Sequence, residues 1–203
     1  MHLQGEAIDN YTINEYLLVL NPHEDLRNRI MDVKKEFANA YQKPDAVYSK
    51  PHITLANFLQ LEMMEPRLIN RLNAISMGYN EIKIDLKNYG SLPTHTIYIN
   101  ITSKVEIQNL VKYIRQQAQQ LMKLNTQNKP HFIMEPNLTI ARKLLPWQYE
   151  KAWLQYEQKN FRATFIATEM LLLKRVLNTL KYTTAAHFKF MNLPVQTKQG
   201  ELF

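Results

Sequence analysis

Two short segments of the chain carry the same pattern of residue types. Residues 51–56 read Pro-His-Ile-Thr-Leu-Ala, and residues 136–141 read Pro-Asn-Leu-Thr-Ile-Ala. Three of the six positions are identical, two exchange one aliphatic residue for another, and the last holds His52 in one copy and Asn137 in the other. An imidazole exchanges a proton near neutral pH, and a threonine hydroxyl donates hydrogen bonds to anionic oxygen. The pattern is typical of acid–base chemistry on an anion. A complete duplication would supply two acid–base residues, but here only His52 can exchange a proton.

Strand geometry predicts which of these side chains share a face. Because side chains alternate along a strand, one face should carry the second, fourth and sixth positions of each copy: His52, Thr54 and Ala56, and Asn137, Thr139 and Ala141. Two residues span about 6.6–7 Å, so an imidazole and a hydroxyl can reach one phosphate-sized group, and the small alanine leaves room for it. We expect the two strands to lie side by side about a pseudo-two-fold axis.

Hydrophobic periodicity predicts the elements that hold the two copies. The predicted strands are 15–20, 51–58, 82–86, 96–101, 137–142, 161–173 and 182–190, and the predicted helices are 23–41, 66–77, 105–122 and 147–158. In the first helix an apolar stripe faces the core, and Lys34 is predicted on another face. Each copy follows a helix and precedes helix and strand material, and the copies lie 85 residues apart. This spacing favours a duplicated α+β unit with two lobes in one domain over residues 1–203.

Composition narrows the possible functions. The chain has no cysteine, which excludes thiolate nucleophiles and thiolate metal sites, and its four glycines exclude a Gly-rich phosphate loop. The histidines lack metal-ligand spacing, so we expect no metal. The net charge of +7 favours phosphate-bearing partners, although many ordinary proteins are equally basic.

The apolar runs of the sequence are short. None approaches the length of a membrane span, and the first ten residues lack the basic and apolar regions of a signal peptide. We therefore expect a cytoplasmic protein without a membrane partner, and we favour a monomer.

The repeated segments resemble a known family. His-Ile-Thr-Leu of residues 52–55 resembles the first of two His-x-Thr/Ser motifs in the two-histidine phosphoesterase superfamily, in particular its 2′-5′ RNA ligase-like branch. Asn-Leu-Thr-Ile-Ala-Arg of residues 137–142 is similar to the second motif. Leu-Leu-Leu-Lys-Arg of residues 171–175 resembles the strand that follows it.

The resemblance implies a fold and a reaction. The fold is α+β and bilobal, with two pseudo-symmetric lobes of antiparallel sheet and flanking helices around a central cleft. The reaction is phosphodiester chemistry without metal or cofactor: opening of 2′,3′-cyclic phosphates, or formation and cleavage of 2′-5′ linkages, in RNA or nucleotides. The implied catalytic set is His52, Thr54, Asn137 and Thr139.

Asn137 departs from the family pattern, because its amide donates hydrogen bonds but cannot exchange a proton at neutral pH. Loss of one positioned acid–base group typically lowers a rate by about 10²–10⁴. The site could bind without turnover, or catalyse a reaction that needs one proton transfer. Alternatively, another group could fill the vacant role, and His95 and His131 are the candidates.

Three further residues could bind the rest of a nucleotide. Tyr48 and Lys50 precede the first motif, and Arg142 ends the second. Alternation places Lys50 on the face of His52 and Arg142 on the opposite face, unless the strand ends or twists there. The alternative for each is a solvated residue at a strand end.

The sequence supports three functional hypotheses. The first is a phosphodiesterase or 2′-5′ RNA ligase-like enzyme that the loss of the second histidine would impair. The second is a non-catalytic RNA- or nucleotide-binding module, and the third is a protein-interaction domain that uses the same cleft.

Overall fold

The computed structural model describes residues 11–179 and 181–193. The described strands are β1 Ile13–Leu20, β2 Ile53–Leu61, β3 Ile82–Leu92, β4 Thr96–Ile101, β5 His131–Phe132, β6 Asn137–Arg142, β7 Arg162–Ala167, β8 Glu169–Val176 and β9 Thr183–Lys189. The described α-helices are α1 Glu24–Ala40, α2 Glu65–Met77, α3 Lys104–Met122 and α4 Pro146–Tyr156. None of these helices is long and apolar enough to cross a membrane.

All strands join one antiparallel sheet in the order β7-β3-β4-β6-β2-β1-β8-β9, and β5 pairs with β2 beside this path. The first lobe consists of β2, β1, β8 and β9, against which α2 and α3 pack. The second lobe consists of β7, β3, β4 and β6, against which α1 and α4 pack. The predicted α+β fold with two lobes of antiparallel sheet is confirmed.

Both lobes contain the same irregularity at the same place. The pairing of β1 with β2 shifts between Leu18 and Val19, opposite Leu55, and the pairing of β4 with β6 shifts between Ile97 and Tyr98, opposite Ile140. Leu55 and Ile140 are the fifth residues of the two repeated segments. A β-bulge at equivalent positions of both copies is strong structural support for the duplication.

The predicted single strand 161–173 is wrong, because the segment forms two strands in different lobes. β7 pairs with β3 at one edge of the sheet, and β8 pairs with β1 on the other side of the cleft. Thr168 separates them, and its carbonyl accepts a hydrogen bond from the Phe190 backbone. A continuous run of strand-forming residues gave no sign of this break.

Two other differences concern β3, which is longer than predicted, and β5, which was not predicted. β3 continues to Leu92, beyond the predicted end at residue 86, through an irregularity in which Asn88 has a φ of 58°. β5 contains two residues, too few to produce a periodic pattern.

Candidate active site

The repeated segments meet at the junction of the two lobes. Ile53 pairs with Leu138, and both side chains are completely buried on the core side. These are the third residues of the two copies, so a pseudo-two-fold axis passes between them. Continuing the antiparallel register by one residue in each direction sets His52 opposite Thr139 and Thr54 opposite Asn137. Side chains in such positions lie roughly 5 Å apart at Cβ, so the structure brings all four together on the cleft face.

The prediction that the two alanines share this face is wrong. Ala56 pairs with Leu18 and Ala141 pairs with Ile97, and all four residues are buried in the core. The cause is the bulge just before each alanine, where two consecutive residues point to the same side.

In each lobe, the bulge turns the side chain of the residue after the alanine back to the cleft face. In the first lobe this residue is Asn57 and in the second it is Arg142, which is exposed. The prediction that Arg142 lies on the Leu138 side is therefore wrong, and the bulge is the irregularity that reverses the alternation. Burial lowers the pKa of His52, and the positive charge of Arg142 is one of the smaller causes that act in the same direction.

His52 is held in one tautomer. Its Nδ1 donates to the Lys50 carbonyl oxygen at 2.8 Å, which leaves Nε2 with a lone pair. Burial lowers the pKa of His52, the Lys50 carbonyl raises it, and the charges of Lys34 and Arg142 lower it further. The balance favours a neutral imidazole at pH 7, which can accept a proton.

Asn137 is oriented by its own motif. The Thr139 hydroxyl donates to Asn137 Oδ1 at 3.2 Å, which leaves the Nδ2 amino group as a hydrogen-bond donor. The Thr54 hydroxyl makes no hydrogen bond within residues 11–179 and 181–193. The four residues thus combine one proton acceptor with donors suited to anionic oxygen.

Lys34 is a neighbour of this site that was not among the predicted site residues. It was predicted on another face of α1, but it is only 1% exposed. Its Nζ donates to the Ser49 carbonyl at 2.8 Å and to the Ser49 hydroxyl at 3.1 Å, just before the first motif. Burial lowers its pKa to about 8, and the charge of Arg142 contributes. Lys34 stands four residues after Ile30 and three before Phe37, so helical spacing places it on the buried stripe, and this spacing was the signal that could have identified it.

The positively charged side chains around the cleft differ in whether a carboxylate pairs with them. On the first lobe, Arg175 donates through Nε to Glu15 at 2.8 Å and its charge is paired. Among the described residues, neither Lys34 nor Arg142 forms an ion pair. The uncompensated positive charge therefore lies beside the two motifs, where it favours an anion.

The remaining predicted residues are spread around the rim. Tyr48 is 76% exposed and follows the short 3-10 helix Pro44–Val47, whereas Lys50 contributes its carbonyl to His52 and has an exposed side chain. His95 lies before β4, five residues from Asn100, the partner of Asn137. Its Nδ1 forms a hydrogen bond with the hydroxyl of the neighbouring Thr96.

His131 also lies away from the position of Asn137. It pairs with Asn57 on β2, three residues beyond Thr54 and roughly 10 Å from it. The structure thus places neither candidate histidine in the role that Asn137 leaves vacant.

Two more residues of β4 line the second lobe. Tyr98 pairs with Thr139, and Asn100 pairs with Asn137, so both share the cleft face with the second motif. Their alternation with the buried isoleucines of β4 was the sequence signal that could have identified them. Gly90 on β3 faces Tyr98, and the close approach requires a glycine there.

We expect Gly90→Ala to lower the free energy of unfolding by about 1–3 kcal/mol through overpacking. The added Cβ would lie 2.5 Å from Asn100 Oδ1 and 2.7 Å from the Tyr98 ring. Urea denaturation measures the change. Gly78→Ala is the matched control, because its φ of −91° suits any residue, and it should be nearly neutral. Equal stability of both variants would contradict the close packing of this wall.

Comparison with known proteins identifies a family and a shared fold. The family described as the 2′-5′ RNA ligase superfamily matches residues 22–179, and no curated protein matches the sequence. The structure of TT0787 of Thermus thermophilus is 13% identical, covers 87% of this chain and 98% of its own, and has a TM-score of 0.62.

Two structures of E. coli LigT are also similar. LigT complexed with 3′-AMP is 13% identical, with a TM-score of 0.58, and LigT complexed with ATP is 14% identical, with a TM-score of 0.56. Each covers 88% of this chain and 98% of LigT. These likenesses establish a shared fold. With its two motifs meeting about a pseudo-two-fold axis and the family match spanning most of its length, the chain belongs to the 2′-5′ RNA ligase superfamily of phosphoesterases.

Proposed function

We propose that the cleft binds a 2′,3′-cyclic phosphate or 2′-5′ phosphodiester of RNA or a nucleotide and hydrolyses it slowly. The observation that carries this proposal is the pairing of Ile53 with Leu138, which sets His52, Thr54, Asn137 and Thr139 on one face of the sheet, within reach of one phosphate. Every group in the proposed site comes from one chain, so a monomer suffices. The absence of cysteine fits a cytoplasmic site of action, which is part of the proposal.

His52 would act as the general base. Its Nε2 takes a proton from water, the water oxygen attacks phosphorus, and the bond from phosphorus to a ribose oxygen breaks. Thr54 and the Asn137 amide donate to the non-bridging oxygens, where negative charge grows, and the Thr139 hydroxyl turns from Asn137 Oδ1 to the phosphate when the ligand binds. The ribose oxygen takes its proton from solvent, because no second imidazole is present to supply it. This unassisted step is the reason for the slow rate.

Two further observations support a phosphate ligand. Lys34 and Arg142 bring unpaired positive charge close to His52. The related fold of LigT was solved with 3′-AMP and with ATP, which makes nucleotides the first ligands to test here.

The second candidate is a binding module without turnover, and one contact favours it. The Thr139 hydroxyl already donates to Asn137 Oδ1, which orients the Asn137 amino group as a donor without any ligand. In that case the ligand would be the same, and only hydrolysis would be missing.

Replacement of either motif threonine should weaken phosphate binding. We expect Thr54→Val and Thr139→Val each to raise the Kd for 2′,3′-cyclic AMP by about tenfold or more, because each removes a hydrogen bond to a charged group. Isothermal titration calorimetry measures the Kd, and chromatography of the same mixture detects ring opening.

Thr164→Val serves as the matched control. Its hydroxyl donates to Asp85 on the far edge of the second lobe, so its loss should leave the Kd unchanged. Unchanged affinity in both motif variants, or no binding by the wild type, would refute the proposed site. Binding with ring opening supports the hydrolase, and binding without it supports the binding module.

A further inference from the structure

A groove outside the cleft carries a second concentration of positive charge. It has a volume of about 390 Å³ and lies between the end of α3 and the segment that leads into β6. The lining residues are Arg115, Gln119, Gln120, Lys123, Lys129, Pro130, His131 and Phe132.

The charges of this groove are uncompensated. Arg115, Lys123 and Lys129 contribute three cationic side chains, and no carboxylate lines the groove. Within the described ranges none of the three forms an ion pair, although eight other lysine, arginine and histidine residues do. Cations that lie together without counter-charges attract a polyanion.

The groove also offers more than charge. Two glutamine amides can donate to phosphate or to base edges, and Phe132 provides a half-buried aromatic ring. Cationic side chains interleaved with an aromatic ring are typical of single-stranded nucleic-acid binding, in which the cations follow the backbone and a base stacks. The volume lies within the range of pockets that hold nucleotide-sized groups.

Strand pairing connects the groove to the cleft. His131 lines the groove and pairs with Asn57, which the bulge directs to the cleft face. Partners in an antiparallel pair share a face, so His131 lies where the cleft ends and the groove begins. Asn57 is five residues from His52 along β2, roughly 15 Å away. A chain of a few nucleotides spans this distance, and a single nucleotide does not.

We propose that this groove binds the phosphate backbone of a single RNA strand whose terminal phosphodiester occupies the cleft, which makes a polynucleotide the preferred ligand. This inference rests on the proposed function and extends it from the reacting group to the length of the substrate. His52 and its partners hold the end of the strand, and Arg115, Lys123 and Lys129 hold nucleotides that precede it.

The test compares a short and a long ligand. Fluorescence anisotropy would measure the Kd of a labelled RNA octamer ending in a 2′,3′-cyclic phosphate, and competition would measure that of 2′,3′-cyclic AMP. The wild type should bind the octamer at least tenfold more tightly. Arg115→Glu and Lys129→Glu should each weaken octamer binding about tenfold and reduce its salt dependence by about one phosphate contact. Neither should change the affinity for 2′,3′-cyclic AMP.

Lys112→Glu is the matched control. Lys112 is an exposed lysine of the same helix that does not line the groove, and its reversal changes the net charge equally. An equal loss of octamer affinity in Lys112→Glu would overturn the proposal that the groove binds RNA, because the net charge of the protein would then explain binding. Equal affinity of the wild type for the octamer and for 2′,3′-cyclic AMP would also overturn the groove proposal, but it would leave the proposed function of the cleft intact. If the wild type binds neither ligand, the proposed function fails first and the groove with it.

Discussion

Asn137→His should raise the rate of 2′,3′-cyclic phosphate hydrolysis by about 10²–10⁴, the usual contribution of one positioned acid–base group. The register places residue 137 diagonally across from His52, and such positions lie roughly 7–8 Å apart. One phosphate fits between two imidazoles at this separation. His52 would remain the base, and the new imidazolium would protonate the leaving ribose oxygen.

The duplication also predicts how the new side chain would be held. His52 donates through Nδ1 to the carbonyl of the residue two positions earlier, Lys50. The equivalent carbonyl for position 137 belongs to Glu135, just ahead of β6. An imidazole at this position would have an equivalent acceptor available and would be oriented without further change. Initial rates across pH 5–9 should therefore follow a bell-shaped profile, in contrast to the single rise expected of the wild type.

Two controls isolate this effect. Adding His52→Ala to the Asn137→His protein should remove the gain, because the pair acts as a unit. Asn57→His introduces the same residue on the cleft face of the first lobe, outside the motif, and should leave the rate unchanged. A folded Asn137→His protein that binds 2′,3′-cyclic AMP but shows no gain would mean that the loss of the histidine is not what limits turnover.

The location of this site was predictable because a repeated segment carries its own geometry. His52, Thr54, Asn137 and Thr139 alternate along short strands, and alternation needs only the backbone. Duplication adds a two-fold axis, and the axis implies that equivalent residues pair, as Ile53 and Leu138 do.

Some details next to the motifs could not be predicted from the sequence, and the reasons are physical. The bulges before Ala56 and Ala141 arise from pairing with β1 and β4, so a single strand read alone cannot reveal them. Arg142 was assigned the wrong face for the same reason. The burial of Lys34, by contrast, was predictable, because its spacing of four from Ile30 and three from Phe37 places it on the buried stripe of α1.

Lys34→Met should stabilise the folded protein by about 1–3 kcal/mol at pH 7. Burial lowers the pKa of Lys34 from 10.5 to about 8, so keeping the ammonium charged costs the folded state about 3 kcal/mol. Methionine has a similar volume and no charge, and the loss of the two hydrogen bonds to Ser49 offsets part of the gain.

The pH dependence identifies the cause of this stabilisation. Between pH 8 and 10.5 the unfolded wild type binds more protons than the folded one, so wild-type stability rises with pH in this window. The advantage of Lys34→Met should be complete below pH 8 and should disappear by about pH 10.5. Lys35→Met is the matched control, because Lys35 is an exposed neighbour paired with Asp32, and its change should stay within about 0.5 kcal/mol at every pH.

A buried charge that destabilises the fold is expected to serve a ligand. Two unit charges about 10 Å apart attract by about 1.7 kcal/mol at an effective dielectric constant of about 20, so Lys34→Met should weaken 2′,3′-cyclic AMP binding roughly tenfold. Lys35→Met should not. Greater stability together with weaker binding would show that the protein sacrifices folding free energy for anion affinity. A Lys34→Met protein that is less stable than the wild type below pH 8 would assign Lys34 to the support of the Ser49 segment. Equal nucleotide affinity in Lys34→Met would exclude a role of Lys34 in anion binding.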